Sequence, residues 1–328
     1  MVSNMLPDAA NPERGRFVRD QVDALRALED LEVELYEFAP GARELAGAAV
    51  DMRRAFARGA PLSAGASRRF DVVHAHFGLT AWPALAVSAR VRALTVHGTD
   101  LLHPRTRLAT RAVLPLIDLI AAVSAPLAAQ LPGRAARRAQ VLPCGVDIER
   151  FRPLPRAQAR AELGLDAERP YVLFPADPAR AEKRHDRALA LSRAVNVELL
   201  TLGGVAPERV PLFVNAASAV VVPSEREGFG LAVLEALACD VPVLATPVGI
   251  HPEVLAGVSG ALCAPFEIAS WRAALEPHLT VSGRAGMADA VTGGADRVDG
   301  RASATRFSAP RMAERVAAAW RAALERSG

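Results

Sequence analysis

Short apolar strands alternate with amphipathic segments along almost the whole chain, and this alternation restricts the fold more than any other feature. Candidate strands of β-branched and aliphatic residues fall at Leu31–Phe38, Asp71–Ala75, Ala93–His97, Leu116–Val123 and Gln140–Pro143, then at Tyr171–Pro175, Val197–Leu202, Ala219–Pro223 and Pro242–Thr246. Helix-like stretches separate them, for example Arg14–Asp30, Arg184–Ala194 and Leu231–Cys239. This order implies an α/β protein with parallel sheets covered on both faces. Phe151–Pro170 is rich in Pro and charge and has no strand pattern, so it reads as a domain junction with a short helix. A Gly-, Ala- and Ser-rich tail, Thr280–Ser308, gives way to Ala309–Arg326. There Met312, Val316, Ala319, Trp320 and Leu324 recur at helical spacing and predict a closing helix. A chain of 328 residues has room for two domains.

Composition excludes several classes. The net charge of +3 is too even for a dedicated nucleic-acid binder. With 51% hydrophobic and 23% charged residues, the chain is not wholly disordered. Cys144, Cys239 and Cys263 are too few and too scattered for a disulfide framework or a Cys-x-x-Cys zinc site. The first residues show no basic segment leading into an apolar one, so no signal peptide is expected. The longest run free of Asp, Glu, Lys and Arg, Val72–Ala89, contains His74, His76, Gly78 and Pro83. It reads as a strand, a loop and a helix start rather than a membrane span. The expectation is a cytoplasmic protein with reduced thiols.

Residues 218–249 carry the chemistry. Ser218–Pro223 reads as a buried strand, and Ser224–Gly230 as a polar loop at its carboxyl end, where open α/β sheets bind ligands. A helix starts near Phe229–Leu231; its free N–H groups and dipole suit an anion, and Gly228 and Gly230 allow close approach to the backbone. Glu227 lies in the loop, and Glu235 follows eight positions later on an apolar helix, where a carboxylate needs a partner. Ligand hydroxyls would serve, since an ionised carboxylate only accepts hydrogen bonds. Solvent or a structural Arg is the alternative.

The run Glu227-Gly228-Phe229-Gly230-Leu231-Ala232-Val233-Leu234-Glu235 resembles the mark of retaining glycosyltransferases of family 4. The resemblance implies a GT-B fold: two Rossmann-like doubly wound parallel-sheet domains facing a cleft, with a C-terminal helix crossing back to the N-terminal domain. The expected division is 1–146 plus 309–328 for an acceptor-side domain and 147–308 for a nucleotide-sugar domain. Residues 141–153, 94–101 and 123–131 are also similar to segments of that family, as is the opening, whose first loop ends in Gly15-Arg16-Phe17. Cys144 stands where the family usually has Asn.

The resemblance also implies roles. Glu227 and the amides of Gly228, Phe229, Gly230 and Leu231 would hold the donor sugar hydroxyls and phosphate, and Glu235 the ribose. His97, at a strand end before Gly98, would touch the donor sugar; otherwise it caps a turn. Arg180 and Lys183 are the candidate cations for the leaving diphosphate, although the family's Gly-Arg pair is replaced here by Asp177-Pro178. Arg184 and Arg187 read equally as solvated charges opening a helix. Gly15 marks either a close approach of the first loop to the donor phosphates or the acceptor, or an ordinary turn. Gly203-Gly204 gives a weaker pointer to the nucleotide base. His76 fits a position near the cleft, and His74 a structural one. Only Met1–Met5 precede Leu6-Pro7, so either the first strand is very short, leaving the sheet centre poorly filled, or this start lies downstream of the true one.

The function expected is transfer of a sugar from a nucleotide-diphosphate donor, a UDP- or GDP-sugar, to a hydroxyl acceptor in cell-envelope polysaccharide or glycolipid synthesis. The carbohydrate or lipid-linked acceptor, the donor and a weak peripheral contact with the inner face of the membrane are the expected partners, with no nucleic acid. No metal and no further cofactor are expected, since no Asp-x-Asp pair appears. The arginine runs at 103–111 and 133–138 either face anionic lipid or form a solvated face. The rival readings are a catalytically impaired GT-B nucleotide-sugar binder, a GT-B-like epimerase and a phosphorylase.

Overall fold

The computed structural model describes residues 1–8, 11, 13–57, 70–279 and 297–328. These form two compact units: unit 1 comprises Met1–Gly145 and Ala309–Gly328, and unit 2 comprises Val146–Ser308. Most of the tail assigned to Thr280–Ser308, residues 280–296, lies outside the described residues.

Unit 1 holds a six-stranded sheet of β1 (Val2–Ser3), β2 (Tyr36–Glu37), β3 (Phe70–His76), β4 (Ala89–Val96), β5 (Leu119–Ala122) and β6 (Gln140–Val141). The strands are parallel, in the order β2-β1-β3-β4-β5-β6. Unit 2 holds a five-stranded parallel sheet of β7 (Tyr171–Phe174), β8 (Glu198–Thr201), β9 (Ala219–Val222), β10 (Val243–Ala245) and β11 (Leu262–Cys263). Read from its other edge, the order β8-β7-β9-β10-β11 repeats the pattern of unit 1. Both units are therefore doubly wound, with a switch in winding direction at β1/β3 and at β7/β9.

Every residue of β5, β7, β9 and β10 is buried. This is why these strands read as continuous apolar runs rather than alternating ones. In unit 2, Val172, Phe174, Val221 and Leu244 of the sheet pack on Leu191, Trp271 and Leu275. In unit 1 the closing helix, Ala309–Ser327, lays Met312, Val316, Ala317 and Trp320 against Val22 and Leu25 of the Arg16–Arg26 helix and Val91 and Ala93 of β4. Each large aliphatic side chain so buried contributes roughly 1.5–3 kcal/mol.

The strand expected at Leu31–Phe38 needs correction, because only Tyr36–Glu37 pairs. β1 joins Tyr36 on one side and Ala75 on the other only from Val2 onward, whereas β3 begins five residues earlier at Phe70. Among the described residues no strand lies beside residues 31–35. Beside them lies a cavity of about 490 Å³ lined by Leu31, Val33, Phe70, Val72, His74 and Trp320 among others. The two-residue strands β1 and β11 were too short to show a hydrophobic pattern. Among the described residues no helix is long and apolar enough to cross a membrane. Cys144, Cys239 and Cys263 are free, and burial pushes the Cys144 and Cys239 thiols up to about 12.

Candidate functional site

In open doubly wound sheets the loops at the carboxyl ends of the strands flanking the switch form the ligand crevice. Here those loops carry most of the residues singled out by the sequence, in one cluster per unit.

In unit 2 the loop after β7 and the loop after β9 are tied together. The Lys183 ammonium donates to both carboxylate oxygens of Glu227, each at 2.7 Å, and the Ser224 hydroxyl donates to Glu227 Oε1 at 2.8 Å. The two side chains are only 15% and 8% exposed, so this ion pair is largely shielded from water. Burial by itself raises the Glu227 carboxyl, but the Lys183 charge and the hydrogen bonds of Lys183 and Ser224 outweigh it and hold the pKa below the ordinary glutamate value. The backbone N–H of Glu225 also donates to Glu182 O, and Arg187 Nη1 to Pro223 O.

The loop then enters the Leu231–Ala238 helix through Gly230, at φ 112°. A Cβ at Gly230 would collide with His251 Nε2, and one at Gly249 with the Phe229 carbonyl oxygen. The 227–230 and 249–251 segments are thus packed back to back, and the Ile250 N–H donates to Phe229 O. His251 Nδ1 donates to Thr246 O at 2.8 Å, and the Thr246 hydroxyl donates to Ser224 O, so both segments brace the loop that holds Glu227. Phe229 is buried against Phe307, which pins the loop's middle. The first turn of the following helix offers amide groups with no intrahelical partner and a positive dipole end.

In unit 1, His97 follows β4 and lies half-buried between Phe17 and Phe77, whose ring centres are 4.9 and 4.7 Å away. His76, the last residue of β3, has Nδ1 2.9 Å from His97 Nε2. Burial holds the pKa of His97 down to about 3 and that of His76 well below its ordinary value, so both rings are neutral. The buried Asp100 carboxylate accepts the Gly78 and His97 N–H groups, each at 2.6 Å, and thereby joins the loops after β3 and β4. Phe77 stands between them at φ 75°, ψ 141°, a conformation that costs a bulky residue on the order of 1–3 kcal/mol. Gly15 caps the Arg16–Arg26 helix at φ 71°, where a Cβ would collide with the Met5 carbonyl oxygen. Its freedom lets the first loop turn and bring Phe17 onto His97.

The structure thus joins Lys183 to Glu227, and places Glu235, half-buried, on the helix that Glu227's loop leads into. Arg180 stands apart: it is 56% exposed and its guanidinium is bound by Glu182. Arg184 pairs with Asp186 and Glu225, and Arg187 reaches back to the β9 loop. Gly203, after β8, lies against Asp177 and Pro178. His74 is structural: it bonds Thr95 and Trp320. Sequence reasoning missed Ser224, Thr246, His251, Phe77 and Asp100. Ser224 and His251 flank the glutamate motif and the strand after it, which was the available signal. Among the described residues no three His, Cys, Asp or Glu side chains gather to hold a metal ion.

Two doubly wound parallel sheets, each with its polar loops at the switch point, define an α/β protein of the GT-B architecture. Solved structures agree. A sucrose-phosphate synthase from Thermosynechococcus elongatus superposes with a TM-score of 0.71 at 19% identity, over 99% of each chain. The Anabaena protein HepE, in complex with UDP and glucose, gives 0.66 at 17% over 98% of each. The family model "Glycosyltransferase Family 4" matches residues 15–150, and "Glycosyl transferases group 1" matches 165–282. A D-inositol 3-phosphate glycosyltransferase of Geodermatophilus obscurus is 30% identical over 78% of this chain and 67% of its own length. One from Nocardia farcinica is 31% identical over 63% of this chain, and the match spans 58% of that relative's length. The chain belongs to glycosyltransferase family 4.

Proposed function

We propose that the protein transfers a sugar, with retention at the anomeric carbon, from a UDP- or GDP-sugar to an acceptor hydroxyl. The observation that carries this reading is the shielded Lys183–Glu227 pair at the entrance of the Leu231–Ala238 helix. The donor diphosphate competes with Glu227 for the Lys183 ammonium. Once released, Glu227 accepts hydrogen bonds from the sugar hydroxyls. Amides from Gly228 to Leu231 and the helix dipole take up the phosphate charge, and Glu235 accepts from the ribose. His97 contributes a hydrogen bond to the donor sugar, and Gly15 lets the first loop approach the donor phosphates.

The C1–O bond to the diphosphate breaks while the acceptor oxygen bonds C1 from the same face. The acceptor proton passes to a departing phosphate oxygen. The protein supplies orientation and charge stabilisation. Lys183, with Arg180 only if its loop moves, is the cation for the leaving group, and the proposed reaction uses no metal or further cofactor.

The name D-inositol 3-phosphate glycosyltransferase suits a phosphorylated cyclitol or a similar polyol as acceptor, and the proposal places the reaction in envelope glycolipid or polysaccharide synthesis. The Pro104–Val113 helix favours a lipid-side acceptor. Leu108 is 72% exposed there, beside exposed Arg105, Arg107 and Arg111, and no acidic residue falls between 101 and 117. Such a face suits weak contact with anionic lipid at the cytoplasmic side of a membrane.

Incubation with UDP-, GDP- and dTDP-sugars, with and without polyol acceptors, tests the reading. Release of the nucleoside diphosphate and an acceptor product of unchanged anomeric configuration is expected. Binding without turnover across the panel would favour an impaired nucleotide-sugar binder, for which the outward-turned Arg180 is the structural argument. Conversion of the donor to its epimer would favour the epimerase reading.

A further inference from the structure

The histidines of unit 1 form two hydrogen-bonded groups, Trp320–His74–Thr95 and His76–His97, stacked on each other through His74 and His76, and their proton positions follow from their partners. Trp320 Nε1 can only donate, and it lies 3.0 Å from His74 Nδ1. His74 Nδ1 is therefore the acceptor, and its single proton sits on Nε2, which donates to Thr95 Oγ1 at 2.7 Å. His76 stacks on His74, with ring centres 5.0 Å apart and planes 17° from parallel. His76 is fully buried, and that burial holds its pKa well below the ordinary histidine value, so it too is neutral and carries one proton.

That proton has two places to go. On Nε2 it would be a buried N–H without an acceptor, because His76 Nε2 is buried and has no partner among the described residues. On Nδ1 it lies on the line to His97 Nε2, 2.9 Å away, and Nε2 keeps only a lone pair unmatched. A stranded buried N–H is the rarer and costlier defect. The proton therefore sits on Nδ1, and His97 Nε2 accepts it. The His97 proton is left on Nδ1, the ring nitrogen that no described residue engages.

We propose that His76 is a positioning residue that fixes His97 as the Nδ1–H tautomer, so that His97 meets the donor sugar as a neutral hydrogen-bond donor through Nδ1. The sugar oxygen it meets is an acceptor: an ether oxygen or a hydroxyl whose own proton points away. The strained Phe77, the Asp100 bridge and the packing of Phe17 hold the same ring from its other sides. The assignment rests on the donor-sugar role of His97 given above, but the tautomer can be read without any sugar.

The test is long-range ¹⁵N–¹H correlation on histidine-labelled free protein, wild type and two variants. His76→Asn keeps an amide N–H near the place of ring Nδ1, and His76→Leu removes the donor while filling the space. His97 is expected as Nδ1–H in the wild type and in His76→Asn, and as a mixture in His76→Leu. Turnover of the sugar nucleotide then falls at least about 10-fold in His76→Leu, with donor KM changed less, and is largely restored in His76→Asn. An Nε2–H tautomer at His97 in the wild type overturns the proposal. So does a folded His76→Leu with unchanged tautomer and turnover, or a folded His76→Asn as impaired as His76→Leu. A wild type with the expected tautomer that binds no sugar nucleotide would instead overturn the proposed function and leave the tautomer assignment standing.

Discussion

At the switch point of unit 2 an ammonium faces a carboxylate; at the switch point of unit 1 neutral imidazoles pack among phenyl rings. The first arrangement can exchange partners. Lys183 and Glu227 neutralise each other in the structure, and on the proposed reading a ligand with matching phosphates and hydroxyls replaces both contacts. The second arrangement is set before any ligand arrives, through Asp100, through His76 and through a strained Phe77. One loop cluster is built to trade charge and the other to hold a shape. This division suits a reaction in which a diphosphate leaves and a sugar must keep its orientation.

The sharpest way to break the comparison is to remove one charge. Lys183→Met should lower turnover on the order of 10³-fold, as expected for loss of a cation at a developing oxyanion. It should also destabilise unit 2 by about 3 kcal/mol, since it leaves the Glu227 carboxylate shielded and unpaired. The double variant Lys183→Met/Glu227→Gln should recover most of the stability and none of the turnover. Denaturant unfolding and a nucleotide-release assay separate the two effects. Recovery of both would mean that the pair is purely structural.

Gly230→Ala probes the loop's shape. The new methyl would require a positive φ and meet His251 Nε2, so a loss of roughly 2 kcal/mol in stability or donor affinity is expected. Gly230→Ala/His251→Ala should recover part of it. An unaltered Gly230→Ala protein would show that the 249–251 segment does not brace the loop.

Acid should loosen the two clusters at different points. His74 and His97 titrate at about 3 in the folded chain, against about 6.5 when unfolded. Between those values the unfolded chain binds more protons, so their contribution is lost as pH falls below 6.5, by roughly 1 kcal/mol per histidine per pH unit. Glu227 is depressed in the folded state, so its contribution is present above its unfolded pKa and is lost only as pH falls through about 4.5 and below. Burial also holds His251 of unit 2 below its ordinary value, but it is one ring against His74, His76 and His97 in unit 1, so hydrogen-exchange protection near pH 5.5 should weaken more in unit 1 than in unit 2.

The smallest effect concerns the cavity beside β3. Val72→Ile adds one methylene to the cavity wall and should stabilise unit 1 by up to about 1 kcal/mol. A calorimetric Tm that does not rise would mean the cavity wall has no room for the added carbon.

The sequence made the repeated strand–helix order legible because parallel strands buried on both faces leave unbroken apolar runs, as in Ala219–Val222 and Tyr171–Phe174. It overstated Leu31–Phe38, whose Leu31 and Val33 line a cavity while only its last residues pair with β1. The glutamate loop was legible because its glycines and carboxylates lie together in the chain. The rest of the site was not, because its contacts are long-range: Lys183 reaches Glu227 across 44 positions, and His76 reaches His97 across 21. Phe77 gave no signal at all, since no composition rule marks a phenylalanine for positive φ.

The central claim is that unit 2 holds a nucleoside diphosphate through the Glu227–Glu235 loop and helix. Calorimetric titration of the wild type and of Glu235→Ala with UDP, GDP, dTDP and ADP tests it most directly. The account expects saturable binding of UDP or GDP by the wild type, weakened about 10-fold or more in Glu235→Ala by loss of a charged hydrogen bond to the ribose. A wild type that binds none of the four, or a variant that binds as tightly as the wild type, would contradict it.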